Sequence, residues 1–346
     1  MSTAGYFSFA IGIGAQNKKG EWLDVYYQQP LLNPSDQLIN AATAAVGHNG
    51  GNAAITLSAA QLSALADALQ AAGETAQAGL ASKLQSTAQP IVATFIEKDE
   101  APTSVPECYL KLHLLTHRLV KPHGTDLTGL FGLLPNVAWT NEGAIAIDEL
   151  ADRQLDARMK GTVVEVSSVD KFPKMTNYFV PPTTRIADTD RVRLGAHMGD
   201  NTTVMHEGFI NFNAGTLGAS MIEGRISAGV VVGKGSDLGG GCSTMGTLSG
   251  GGNIVISVGE ESLIGANAGL GIPLGDRCII ESGLYITAGT KIMLLDESNQ
   301  DVEIVKGRDL AGVADLIFRR NSLSGRVEAK TNKTAIQLNE ALHANN

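Results

Sequence analysis

Cysteine is scarce in this chain: among 346 residues only Cys108, Cys242 and Cys278 occur, far apart and with no Cys-x-x-Cys pair. That usage speaks against a disulfide framework and for a reducing cytoplasm. Long apolar runs are also missing. No stretch approaches the roughly 20 residues that span a bilayer, and the opening Met1-Ser2-Thr3-Ala4-Gly5-Tyr6 lacks the basic region of a secretory signal, so no membrane partner is expected. Positive charge is short as well. A net charge of −9 argues against a nucleic-acid partner, because phosphate binding requires a clustered basic surface. Small anionic ligands respond to local charge and stay open; Arg185, Arg191, Arg193 and Arg225 fall close together, with Arg319-Arg320 further on.

Aromatic residues are rarest where glycine is most abundant. Residues 185–292 hold 23 of the 40 glycines but only Phe209, Phe212 and Tyr285 as large rings, which suits a prism too narrow for them. In that stretch an aliphatic residue returns every sixth position. The phase runs through Ile186, Val192, Met198, Val204 and Ile210, then Ile226, Val232 and Leu238, then Val258, Ile264 and Leu270, and finally Leu274, Ile280, Ile286 and Ile292. A period of six fits neither a helical face nor an alternating strand; it describes a flat side followed by a tight corner, three of which make one triangular turn of a parallel β-helix. Each aliphatic residue points inward onto its equivalent one coil above, and the following small residue lets the backbone turn. A disordered glycine-rich tract would lack such a phase.

The flanks read differently. With 43% apolar residues the chain can bury a large core, and three regions are expected: a mixed α/β domain over 1–183, the coil over 184–295 and a small cap over 296–346. Tyr6–Ile13 and Trp22–Tyr27 read as strands around an Asn17–Gly20 turn. Ser58 is a candidate N-cap for a helix closing near Gly73, Ile91–Ile96 a strand, Pro106–Val120 and Asp148–Met159 helices, and Thr162–Val166 another strand. Beyond Ile292 a strand at Val302–Val305 and a helix at Thr334–His343 are expected, covering the open edge of the coil.

Several features could carry chemistry. Gly239-Gly240-Gly241 and Ser249-Gly250-Gly251-Gly252-Asn253 lack the strand, helix and lysine context of a phosphate loop; the first reads as a coil corner and the second as a loop extruded over Thr244–Asn253. Cys242 and Cys278 occupy small inward positions with no histidine nearby to activate them. His197 and His206 are the only histidines of the coil, too few for a three-histidine zinc site. The stretch Val204–Gly215 crowds polar and ionisable residues into an otherwise small and aliphatic coil, and Gly215–Ile222 then reads as a departure from the six-residue register. Rule-breaking inside a regular scaffold marks a site. Glu207, flanked by aromatic residues, is the candidate general base with a raised pKa.

At these residues the chain resembles the tetrahydrodipicolinate N-succinyltransferases, in their longer type with a large N-terminal domain. The likeness covers nearly the whole chain and rests on stretches outside the repeat phase: Ser168–Met175, Met205–Gly215, Glu223–Gly229, Gly246–Gly252 and Phe318–Ser322. The resemblance implies a left-handed coil and a cytoplasmic homotrimer. It also implies succinyl transfer from succinyl-CoA, as co-substrate, to the amino group of ring-opened tetrahydrodipicolinate in lysine and diaminopimelate synthesis. By the same likeness Glu207 is the base, or alternatively a nucleophile forming an acyl anhydride. Arg225, Ser227 and Asn213 would bind substrate. Gly224, Gly265, Ala266, Lys291, Arg319, Arg320, Asn321 and Ser322 would bind CoA. No permanently bound cofactor is implied beyond a magnesium ion near the trimer axis, whose ligands the sequence does not indicate. Three rivals are weighed against this. Another CoA-dependent N- or O-acyltransferase would share the coil, a sugar-nucleotide transferase would need a nucleotide-binding fold in front, and a β-helical scaffold without activity would bind no CoA.

Overall fold

The computed structural model describes residues 5–246 and 254–331 and divides the chain into two compact units. The first comprises residues up to 120, 124–173 and 177–179; the second comprises 121–123, 174–176 and everything from 180 on.

In the first unit, β1 (Ser8–Gln16) turns through Asn17–Gly20 into β2 (Trp22–Tyr26), followed by β3 (Leu31–Leu32), α1 (Asp36–Val46), β4 (Ala53–Thr56), α2 (Ala59–Ala71), α3 (Thr75–Leu84) and β5 (Ile91–Ile96). The antiparallel sheet has the order β2-β1-β5-β4, with β3 added on β1. Ser58 does cap α2, its hydroxyl accepting from Gln61 N–H while the Gln61 side chain returns to the Ser58 N–H, a reciprocal capping box. Leu62, Leu65 and Leu69 of α2 pack with Phe9, Ile11 and Phe95 of the sheet. Helix α4 (Val105–Thr116), α5 (Leu130–Leu133), β6 (Val137–Thr140), β7 (Gly143–Ala146), α6 (Ile147–Met159) and β8 (Val166–Asp170) complete the unit, the last strands pairing in the order β7-β6-β8. The strand expected at Thr162–Val166 begins instead at Val166. Thr162 is spent on closing α6, where both its N–H and its hydroxyl bond the Ala157 carbonyl (2.9 and 3.1 Å).

The second unit is a triangular parallel coil. Its three faces are separate parallel sheets, and the pairing places each hexapeptide on its equivalent one coil further on, as in Arg185 beside Thr203 and Phe209 beside Arg225. The inward aliphatic column, including Val204, Ile222, Leu238, Ile264 and Ile280, is fully buried. Gly215–Ile222 does not leave the register. Thr216 stands in the inward position between Met198 and Val232, and Ile222 stacks between Val204 and Leu238. A threonine is tolerated inside because its hydroxyl meets that of Thr202 (2.6 Å) and accepts from Gly199 N–H (3.0 Å), so no buried polar group is left unpaired. Thr244 is likewise an inward residue of the coil, 2% exposed and paired with Leu270, so it does not start the extruded loop; residues 247–253, where the rest of that loop was expected, lie outside the described residues. The phase slips at Ile222 to Ile226 and at Leu270 to Leu274.

At the far end, Leu316–Arg320 adds in parallel to Ile279–Ile280, continuing one face of the coil, and turns back antiparallel into Val327–Thr331. The coil edge is thereby paired, and the fully buried Phe318 ring closes the prism over Ile280. Asp301–Lys306 forms a hairpin with Lys291–Leu295. The helix expected at Thr334–His343 lies outside the described residues.

Candidate active site

Glu207 stands in the turn between Thr202–Val204 and Phe209–Ile210. Arg191, one coil away, donates to the Glu207 backbone carbonyl (2.8 Å) and lies 4.0 Å from its carboxylate; His206 Nε2 lies 3.9 Å from the same group. The aromatic shielding expected of Glu207 is not supplied by its own chain. Its side chain is 70% exposed, and the Phe209 ring is covered instead by the Arg193 guanidinium (5.8 Å to the ring centre). In the sequence Arg191 and Arg193 are local positive charge without an assigned role. The coil geometry gives them one, since Arg191 fixes the Glu207 backbone and Arg193 reaches Asn211 Oδ1 (3.2 Å).

The proposed substrate residues follow on the same and the next coil. Arg225 is exposed beside Phe209, and its guanidinium makes no ion pair among the described residues. Ser227 is half-buried, its hydroxyl donating to the Thr244 carbonyl (2.7 Å). Asn213 turns a left-handed corner at φ 52°. Gly224 lies between them, and a Cβ there would run into Cys242 Sγ, so only glycine lets the coils approach.

From this end a column runs along one edge of the prism. The N–H groups of Met205, Glu223, Gly239, Gly265 and Glu281 donate in turn to the carbonyls of Ile222, Leu238, Ile264, Ile280 and Phe318. Gly265 and the exposed Ala266 belong to it; a Cβ on Gly265 would press on the Ser282 backbone. The column ends where Arg320 N–H donates to the Glu281 carboxylate (2.6 Å). Arg320 itself is exposed and donates to Gly325 O (2.8 Å), and Ser322 is exposed beside it. Arg319 and Asn321 are turned to another task. Both bond Glu328 (3.0 and 2.9 Å), a carboxylate 1% exposed that Arg326 also holds (2.8 Å). Burial pushes the Glu328 carboxyl up, and the hydrogen bonds from Arg326, Asn321 and Arg319 outweigh it and hold it below the usual range. This network anchors the turn that presents Arg320 and Ser322. Lys291 is exposed opposite Lys306, and its side chain has no partner among the described residues that ties it to the column.

Cys242 and Cys278 are fully buried free thiols. Burial pushes Cys242 up to about 12 despite the nearby Arg225 charge, so it carries no thiolate at neutral pH. Among the described residues no three His, Cys, Asp or Glu side chains come together to hold a metal ion. Nor is any described helix long and apolar enough to cross a membrane.

The coil is a left-handed β-helix of hexapeptide repeats, the architecture of a succinyltransferase. Two family descriptions match: "Tetrahydrodipicolinate N-succinyltransferase middle" over residues 134–174 and "Hexapeptide repeat of succinyl-transferase" over residues 255–288. Curated relatives called 2,3,4,5-tetrahydropyridine-2,6-dicarboxylate N-succinyltransferase are 66% identical in Pseudomonas putida, covering 98% of both chains, and 58% identical in Vibrio cholerae, covering 99% of both. A crystal structure from Campylobacter jejuni, assigned as a 2,3,4,5-tetrahydropyridine-2-carboxylate N-succinyltransferase, superposes with a TM-score of 0.88 at 32% identity over 96% of this chain and 94% of that one. The chain belongs to the 2,3,4,5-tetrahydropyridine-2,6-dicarboxylate N-succinyltransferase family.

Proposed function

We propose that this enzyme moves the succinyl group of succinyl-CoA to the amino group of ring-opened tetrahydrodipicolinate, a step of lysine and diaminopimelate synthesis. The observation that carries the reading is the column from the Glu207 turn to Arg320, whose five coil-to-coil steps at about 4.8 Å each span roughly 24 Å, a length for an extended CoA arm to lie along. The acceptor amine must be neutral to attack a thioester. Glu207 takes the proton that the ammonium form carries, the amine nitrogen bonds the succinyl carbonyl carbon, the C–S bond breaks, and the surplus proton on the acylated nitrogen passes to the leaving CoA thiolate. Direct attack needs no covalent enzyme intermediate, which favours the base role over an acyl anhydride. Exposed Arg225 supplies the charge that an acceptor or succinyl carboxylate seeks.

A homotrimer fits this site. A flat coil face against a neighbouring subunit would cover the exposed Glu207 carboxylate and exclude water from the reaction. Free buried thiols agree with a cytoplasmic home. The test is thiol release from succinyl-CoA with and without tetrahydrodipicolinate, with acetyl-CoA in parallel. Acceptor-dependent release that prefers succinyl-CoA is expected. Preference for another donor would favour a different N- or O-acyltransferase, and silence with both would remove the assignment. Within this reading, Arg320→Ala removes a cation at the nucleotide end and is expected to raise the CoA dissociation constant about tenfold, with the acceptor KM unchanged. Calorimetric titration with CoA checks it, and an unaltered constant takes Arg320 out of the site.

A further inference from the structure

We propose that His123 is a positioning residue for the acceptor end of the site, fixing which face of the Asn213 amide meets substrate; this rests on the function proposed above. Lys121–His123 lie in sequence between α4 and α5, yet they belong to the coil unit. His123, at φ 67°, donates its backbone N–H to Asn213 Oδ1 (2.8 Å), and its imidazole Nε2 lies 2.8 Å from the Gly229 carbonyl, which requires the proton on Nε2. These contacts fall on a stack of left-handed corners, Gly195, Asn213 and Gly229, with φ of 91°, 52° and 81°. The corners are linked by bonds from Asn213 N–H to Gly195 O (2.8 Å) and from Gly229 N–H to Asn213 O (3.1 Å). One histidine therefore fastens two successive coils beside Ser227, whose carbonyl accepts from Val230 N–H across the same turn (3.0 Å).

The consequence is chemical. With Oδ1 occupied, Asn213 offers its Nδ2 donors, which no hydrogen bond uses among the described residues. An acceptor with two carboxylates is matched by a donor, not by a second acceptor.

Steady-state kinetics on the full-length enzyme, varying each substrate, tests this. His123→Ala loses the Gly229 bond and is expected to raise the acceptor KM about fivefold with the succinyl-CoA KM unchanged; His123→Gln, which keeps a donor near the Nε2 position, restores it. Asn213→Asp keeps the His123 contact but replaces the donors by a carboxylate, and is expected to raise the acceptor KM more than His123→Ala does. An unchanged acceptor KM in Asn213→Asp, or equal shifts in both KM values for His123→Ala without rescue by His123→Gln, overturns the proposal. If His123→Ala does not fold, His123→Asn, whose shorter amide leaves the Gly229 carbonyl unbonded, takes its place with the same expected rise in acceptor KM, and an unchanged acceptor KM there overturns the proposal. Failure of the function itself is distinct, since the wild-type enzyme would then release no thiol with tetrahydrodipicolinate.

Discussion

Glu207→Ala is expected to lower kcat/KM for succinyl transfer by about 10²–10⁴-fold, the range for loss of a general base. The side chain is 70% exposed and packs against nothing that the fold needs, so the loss should come without loss of the coil. Glu207→Gln separates charge from shape. It keeps the size of the side chain and the Arg191 contact to the backbone carbonyl but cannot take a proton, and it should be as inactive as the alanine variant. CoA binding, measured by titration, and the oligomeric state should match the wild type in both. Near-normal turnover by either variant would end the assignment of Glu207. A succinylated protein mass on incubation with donor alone would replace the base route by the acyl-anhydride one.

Ile264→Ala is expected to cost about 2–5 kcal/mol of stability, because a fully buried side chain is deleted from a column that has little room to collapse. Ile264 is held in register between Leu238 and Ile280, so the cavity opens between two fixed coils. Ile264→Val, which removes a single methylene, should cost about 0.5–1.5 kcal/mol. Denaturant titration of the two variants against wild type reads both. The next residue, Gly265, belongs to the proposed CoA column, so weaker CoA binding should accompany the alanine change. A loss below about 0.5 kcal/mol, the range of an ordinary surface substitution, would contradict the inward placement of Ile264.

The β-helix was legible because its inward column writes itself into the sequence at a fixed period, and a glycine or small residue marks the corner that follows. The same legibility failed at Gly215–Ile222, where Thr216 takes an aliphatic residue's place and only the Thr202 hydroxyl, two hexapeptides back in the chain and adjacent in space, makes that possible. It failed again at Thr162, whose sequence suits a strand and whose two hydrogen bonds to Ala157 make it a helix cap. Glu207 stood out as an ionisable residue in a regular repeat, and Arg225 and Ser227 became candidates through the family likeness, so none of the three needed coordinates. Their surroundings did. Arg191 behind Glu207, the occupation of Arg319 and Asn321 by Glu328, and His123 on the Asn213 corner join residues far apart in the chain, and no local pattern encodes them. The sequence alone determined the repeating backbone and the family, since both depend on residues near one another along the chain. Tertiary structure decided which of the site's side chains are free to meet a ligand, because that depends on partners brought in from other coils.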